Sequence, residues 1–564
     1  MRIFGKTLCY LIALITVFAL VGSPAATAAE PGGTSIDDWT YELDAEAGTV
    51  TLTKYIGTPS AVVIPASFET DGATFATVLK CNTAFRANTN VKSVTISAGV
   101  SFLNNSMRLL FGECSSLTTV DLSAVDTTGV TDMSYMFYKC GALKSLDLSS
   151  FDTSNVTSIR GMFSECRKLS GLTGYERWNT SRVRDMYQTF NRVAFSVAAS
   201  TPVTIDLGLW DLSGVENTGW CFQTCRATYI TVPENIGIIS AGFMNHAIRY
   251  PGTTYTIPAG VKKIGYAHTF YDFATDDFIE FKVAEGNTAY KAVDGVLYSA
   301  DGKEMLAVPR NKPFTGGVFT IEEGVDFLGE LSFSRNYNIH TVVLPDSYEI
   351  KYVPIYDERY IVYNDTGNLN AGTNLSIAIY CYTGVTDYAV KGTNPRYSSK
   401  DGLIYSKDFT HLVAVPARYD KTITLPEGAT HWDLEAMWAD GSDTVDNLLS
   451  NCSGAVIPST MRVISDDQFE MLNRLRRSRA SEGNPFTITL DGDNEYFYLD
   501  DEGYLTRVEA GDVNGDGLVT IYDLAALKRV LAGSEGVYTA GTSDVNRDGL
   551  LTLSDIAALK KLLA

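Results

Sequence analysis

One oxygen-rich pattern near the C-terminus occurs twice and points to cation chemistry. D-x-N-x-D-G-x5-D spans Asp512–Asp523 and recurs 32 residues later at Asp544–Asp555. In the first copy Asp512, Asn514 and Asp516 stand at loop positions 1, 3 and 5, and Gly517 at the turning position 6. Leu518 offers its carbonyl at position 7, Thr520 stands at 9 and Asp523 at 12. Asp544, Asn546, Asp548, Gly549, Leu550, Thr552 and Asp555 repeat the set. Oxygen donors alternating along a tight loop suit a hard, many-coordinate cation, so the pattern predicts two Ca2+ ions, one per loop. Each loop runs into an apolar helical pattern, IYDLAALKRVL and LSDIAALKKLL, but no amphipathic helix precedes either one. So small a segment has little core of its own, which makes the cation part of its folding free energy.

Nothing comparable marks a reaction centre. The five His, at 246, 268, 340, 411 and 431, have no ligand spacing, and no G-x-S-x-G, H-E-x-x-H or phosphate loop accompanies them. The expectation is a protein that is not an enzyme, although carboxylates from distant segments could still meet across units, as in glycoside hydrolysis. Cys114, Cys140, Cys166 and Cys225 each follow a Phe (Phe111, Phe137, Phe163, Phe222) by three residues, and Val193 follows Phe190 in the same way. A position that accepts Val is an apolar core position, which disfavours reading Cys221 and Cys225 as a metal or redox pair. Cys81, Cys381 and Cys452 have no such register and their disulfide state stays open.

The elements that carry these residues follow from a 26-residue period. Phe111, Phe137 and Phe163 keep it, as do the Cys above and Leu117, Leu143 and Leu169. The unit LKSLDLSSFDTSNVTSIRGMFSEC, from Leu143 to Cys166, reads as a short strand, an Asx-rich turn and a second apolar face ending in Met-Phe. Asp126, Asp152, Asn179 and Asp211 fall at one point of that turn, where short polar side chains accept hydrogen bonds from their own backbone. One unit cannot bury its apolar side alone, so successive units must stack. The wording VDLSAVDTTGVTDMSYMF and LDLSSFDTSNVTSIRGMF resembles the BspA-like leucine-rich repeat of bacterial surface proteins. That resemblance implies a leucine-rich-repeat-type solenoid of mixed α/β class, with short strands joined by turns or short helices. Six strands end in an apolar residue and Pro, at Pro65, Pro233, Pro258, Pro345, Pro426 and Pro458. Proline lacks the ladder donor and so marks where a strand leaves its sheet. The segment 287–309 returns at 393–416 and more weakly at 494–508, while 39–55 reads as an opening cap.

Loop plus single helix, duplicated at a chain terminus, resembles the type I dockerin, a small all-α calcium-binding domain of cellulosomal proteins. The resemblance implies a cohesin module of a scaffoldin as partner. It assigns recognition to Ile521, Tyr522, Lys528 and Arg529 in the first copy, and to Leu553, Ser554, Lys560 and Lys561 in the second. The Ser or Thr usual at the first two of these positions is mostly replaced, which leaves the cohesin type open.

The chain of 564 residues carries a formal charge of -21, with 45% hydrophobic residues. That acidity excludes nucleic acid and anionic membrane surfaces as favoured partners, and the apolar content argues against disorder. Arg2 and Lys6, the apolar run Leu8 to Val21 and the small residues Ala26 to Ala29 read as a secretory signal peptide. The expected organisation is signal peptide 1–29, repeat region 30–508, densest at 106–226, and dockerin 511–564. The expected function is a secreted, non-catalytic binding or adhesion protein attached through cohesin to a cell-surface complex, a cellulosome, and presenting a protein- or cell-binding surface. A carbohydrate-binding cellulosomal component serving polysaccharide catabolism, or a cryptic polysaccharide hydrolase, is the alternative. For the isolated tail, the far-UV circular dichroism should lose its helical signal when calcium is chelated; a spectrum indifferent to the chelator would contradict the loops' role in folding.

Overall fold

The computed structural model describes residues 34–244, 254–265, 278–329, 332–333, 335–350, 352–353, 372–373, 375, 379, 383–416, 418–432, 449, 451–480, 485–508, 510–514, 519–533 and 540–564. The expected signal peptide, Cys381, His246, His268 and the loop residues Asp516, Gly517 and Leu518 lie outside them.

The repeat becomes parallel pairing, at an offset of 26 residues for Ser93 with Thr119 and Ser145 with Gly171, and of 25 for Thr204 with Tyr229. Ser93–Ile96 pairs with Thr119–Asp121, Ser145–Asp147 with Gly171–Thr173, and Thr204–Asp206 with Tyr229–Thr231, all parallel. A second parallel row runs through single bridges linking Ser106, Asp132, Ser158, Asp185 and Asn217. Farther on, Val318–Thr320, Thr341–Leu344 and Asp387–Val390 form one parallel sheet, and Ile423–Thr424, Gly454–Pro458 and Thr487–Asp491 another. The described chain is strand-rich with few helices, the longest being Asp466–Arg479.

The second apolar face of each unit forms turns rather than short helices. Every other N–H leaves the unit: Met133, Tyr135, Phe137 and Lys139 donate to the carbonyls of Ser158, Arg160, Met162 and Ser164. The N–H groups between close local turns, as Met136 to Met133 and Tyr138 to Tyr135. This alternation needs left-handed backbone at Tyr135 and Lys139, with φ of 58° and 59°, and likewise at Leu109, Glu113, Glu165, Gln188 and Arg192. Such residues cost about 1–2 kcal/mol each, which the inter-unit hydrogen bonds offset. A segment this short cannot repay helix nucleation, whereas donors shared with the next unit satisfy its backbone.

The interior is built from columns. Phe85, Phe111, Phe137, Phe163, Phe190 and Phe222 stack with ring centroids 5.7, 5.5, 6.0, 5.6 and 5.4 Å apart. Phe151, Trp178 and Trp210 form a second column at 6.3 and 5.8 Å. The opening cap is an antiparallel hairpin, Trp39–Asp44 with Thr49–Tyr55, and Trp39 and Tyr55 cover Phe85 at the end of the Phe column. The recurring insertions are antiparallel three-stranded units, Tyr290–Val293, Val296–Ser299 and Glu304–Ala307, then Tyr397–Lys400, Leu403–Ser406 and Leu412–Ala414. Their first turns are Asp-Gly pairs with both φ positive, 44° and 71° at Asp294-Gly295, 54° and 87° at Asp401-Gly402. These angles suit a tight hairpin.

The strand-ending Pro residues behave as the sequence suggests, with one difference: Pro458 is the last residue of its own strand and lies opposite Asp491. An Asn ladder, unanticipated from the sequence, anchors these ends. Asn287, Asn336, Asn394 and Asn494 donate from Nδ2 to the carbonyls of Pro258, Pro309, Pro345 and Pro458 of the preceding unit. Asn394 Oδ1 accepts from the N–H groups of Arg396 and Tyr397, and Asn494 Oδ1 from those of Tyr496 and Phe497. An N-x-x-Tyr or N-x-x-Phe spelling before each recurring hairpin was the available signal. Phe137, fully buried mid-column, is the critical plug: Phe137→Ala should lower unfolding free energy by about 3–5 kcal/mol in urea titration, whereas Phe137→Leu should cost clearly less.

Candidate calcium loops and partner-facing surfaces

The two C-terminal helices, Ile521–Leu531 and Leu553–Leu562, begin in the same way. Thr520 and Thr552 cap them, accepting from the N–H of Tyr522 and Ser554, and Asp523 and Asp555 return the capping hydrogen bond at 2.7 and 2.8 Å. Asp523 and Asp555 also accept from the N–H of Asn514 and Asn546 at 3.0 and 3.2 Å, tying each loop's third position to its twelfth. Between the helices Val513, Leu524, Ala526, Leu527 and Leu559 form a small separate core. Thr542 accepts from the Gly511 N–H at 2.9 Å, joining the segments that enter the two loops.

The second loop is described throughout. Gly549 turns it with φ of 79°, and Asp544 is buried, accepting from the N–H of Asp548 at 3.1 Å and Gly549 at 2.8 Å. Burial raises the Asp544 pKa above the ordinary carboxylate value, and the Asp555 and Asp548 carboxylates push it the same way against those N–H groups. Asp544, Asp548 and Asp555, with the Asn546 amide, the Thr552 hydroxyl and the Leu550 carbonyl, supply oxygen donors, the donor chemistry a hard cation takes. Among the described residues no three Asp, Glu, His or Cys side chains converge closely enough to hold a metal by themselves. In the first loop Asp512, Asn514, Thr520 and Asp523 are described, and Asp523 is buried. Burial pushes the Asp523 carboxyl up, but donation from the Thr520 and Asn514 N–H groups outweighs it and holds the group below its usual value.

The residues assigned to partner recognition face outward. Ile521, Tyr522 and Leu553 are 64%, 72% and 77% exposed, and Lys528, Arg529, Ser554, Lys560 and Lys561 are exposed beside them. The apolar members gain nothing from the domain's own core.

In the repeats the tempting chemistry resolves into structure. Asp126, Asp152, Asn179 and Asp211 accept from the N–H two residues on, at 2.9, 2.8, 3.2 and 3.0 Å, as turn residues do. Cys81, Cys114, Cys140, Cys166, Cys221, Cys225 and Cys452 are buried and unbridged. The Cys column does more than fill space, because Cys114, Cys140 and Cys166 donate from Sγ to the carbonyls of Phe85, Phe111 and Phe137. Cys452, for which the sequence offered no register, donates likewise to Tyr419. On the outer turns aromatic rings lie on glycines: an added Cβ at Gly161 would run into the Tyr135 ring, and at Gly242 into the Trp220 ring. Arg108 and Arg160 stack over Tyr135 and Tyr187 at 5.1 and 4.0 Å, so guanidinium groups cover these half-buried rings. No described helix is long and apolar enough to cross a membrane.

Two family models match separate parts of the chain. Residues 80–200 and 105–232 match the family described as "Mycoplasma protein of unknown function, DUF285", and residues 510–564 match the dockerin type I domain. Over residues 80–232 the repeats thus match a BspA-like repeat family. The C-terminal segment is a type I dockerin. Among solved structures, a leucine-rich cell surface protein from Faecalibacterium prausnitzii is 17% identical, over 84% of this chain and 96% of its own, with a TM-score of 0.40. A leucine-rich repeat protein from Bacteroides ovatus is 12% identical, over 81% and 99%, with a TM-score of 0.28. No curated protein matches the chain.

The buried thiols carry a pH consequence. Burial pushes Cys114, Cys166, Cys225 and Cys452 from 9.0 up to about 12. An unfolded thiol loses its proton near 9 while the folded one keeps it, so this contribution to stability is complete below pH 9 and declines as pH rises toward 12. Urea midpoints should match at pH 7 and 8 and fall by pH 10, and a thiol reagent should find these groups silent in native protein at pH 7.5.

Proposed function

We propose that the chain is a secreted, non-catalytic binding protein, with signal peptide 1–29, a BspA-like solenoid over 30–508, and a dockerin at 511–564 that holds it in a cohesin-bearing extracellular complex. Two calcium ions are the proposed ligands, one bound by Asp512, Asn514, Asp516, Leu518, Thr520 and Asp523, the other by Asp544, Asn546, Asp548, Leu550, Thr552 and Asp555. The single observation that carries the anchoring role is the outward placement of Ile521 and Leu553, the same position in each copy, at the start of two identically capped helices. Large apolar side chains left this exposed, with basic pairs alongside, suit a partner face that is apolar at its centre and acidic at its rim.

For the repeats, a protein or cell-surface ligand is the better reading than a polysaccharide. Sugar platforms need open ring faces, and the outer-turn rings Tyr135 and Tyr187 are covered by arginines. The cleft lined by residues 462–466, 496–497 and 507–508 holds one repeat-side carboxylate, Asp466, already paired with Arg507, which does not suit paired-carboxylate hydrolysis.

Isothermal titration of the full chain against a panel of cohesins should find a binder in calcium and none in excess chelator. Ile521→Asp combined with Leu553→Asp should weaken that binder by at least about 30-fold, the loss of one well-placed anchor. Silence across the panel in calcium would defeat the anchoring role.

A further inference from the structure

The second loop does not hang free of the repeats. Arg507 ends the last repeat hairpin and Gly511 opens the dockerin, which leaves little chain for a flexible tether. Gly541, just before the second loop, lies so close to the last repeat unit that an added Cβ would collide with the Glu495 carbonyl and press on Tyr496. Gly549, the turning residue of the loop, faces the preceding units, and its Cβ would stand 3.0 Å from Val463 Cγ2 and 3.3 Å from His431 Nε2. Arg462 donates to the Gly549 carbonyl at 3.4 Å. Between the two surfaces runs a cleft of about 280 Å³, lined by Arg462, Tyr496 and Arg507 on one side and Gly541, Asn546 and Arg547 on the other.

The parts of the loop that touch the repeats, Asn546 to Gly549, form the turn that closes over the carboxylates of Asp544, Asp548 and Asp555. Without a cation those like charges repel one another, against the hydrogen bonds that Asp544, Asn546, Asp548 and Asp555 accept from the turn's own N–H groups. The seam itself is polar and leaves a cleft, so it has little apolar burial with which to hold a distorted loop in place.

We infer that the second loop is a calcium-governed clamp: filling it locks the dockerin against the end of the repeat array, and emptying it releases that end. The clamp rests on the calcium reading above but goes beyond it, because it makes the repeat residues near Val463 and Tyr496 part of the cation equilibrium. Linkage runs both ways, so docking raises the cation affinity of the second loop as much as the cation favours docking. Ile521, Tyr522 and Leu553 remain exposed in the docked state. The clamp therefore sets the direction in which the partner-facing helices point from the array without covering them.

Hydrogen–deuterium exchange on the full chain, in calcium and in chelator, tests this. Peptides covering 454–464 and 495–508 should exchange at least about tenfold faster in chelator, the equivalent of about 1.4 kcal/mol of lost protection, while 106–190 stays unchanged. Gly541→Val, which alters no proposed ligand, should show that faster exchange even in calcium. In a competitive chelator titration it should weaken one of two sites severalfold and leave the other. Arg462→Ala, an exposed and gentler change, should give a smaller shift of the same sign and guards against simple misfolding of the valine variant. Two sites filled with no change at 454–464 and 495–508 would overturn the clamp and leave the calcium loops standing; a chain that binds no calcium at all would overturn both.

Discussion

The whole array depends on one constraint: each unit's backbone donors are satisfied by the next unit. The N–H groups of Met133, Tyr135, Phe137 and Lys139 point across to Ser158, Arg160, Met162 and Ser164, and the strands beside them pair in parallel register. A unit removed from its neighbours would leave these groups and one face of every Phe and Cys column open to water. The repeats can therefore fold only as a stack, and every position that interrupts register must be absorbed by an insertion such as the antiparallel hairpins.

That constraint explains residues that otherwise look functional. The positive-φ backbone at Tyr135 or Lys139 would suggest stored strain at a working site, yet it recurs along the array because alternate donors must face outward. The acidic column at Asp126, Asp152 and Asp211 closes turns. The thiol column gives the Phe85, Phe111 and Phe137 carbonyls a second donor beside the N–H groups of Asn88, Cys114 and Cys140. The Asn ladder donates likewise to carbonyls at proline-ended strands. These polar side chains satisfy backbone groups of their own or of neighbouring units.

The dockerin follows the opposite logic. Its core is small, the carboxylates proposed as its ligands are like charges that work against folding, and Ile521, Tyr522 and Leu553 face water. On the proposed reading, a cation supplies its shape and a partner covers its surface. Its Gly549 sits against His431, Arg462 and Val463 of the repeat end, and its Gly541 against the backbone of Glu495 and Tyr496.

Much of this was written in the sequence. A period of 26 residues, repeated literally, requires stacking, because side chains one period apart must meet; the calcium pattern fixes its own loop geometry through residue types at fixed spacing; and Asp-Gly in a recurring insertion dictates a hairpin. What only the tertiary structure decided involves partners distant in sequence and absent from the period. Of the turns or short helices that the sequence allowed, the second face took turns, because the donors' partners lie in the next unit. Cys452 and the Asn ladder found carbonyls 27 to 49 residues away. The second loop found the repeat end because two glycines permit a backbone approach that no spacing rule records. Local pattern specifies what a segment can do by itself, and only packing decides which distant backbone it must satisfy.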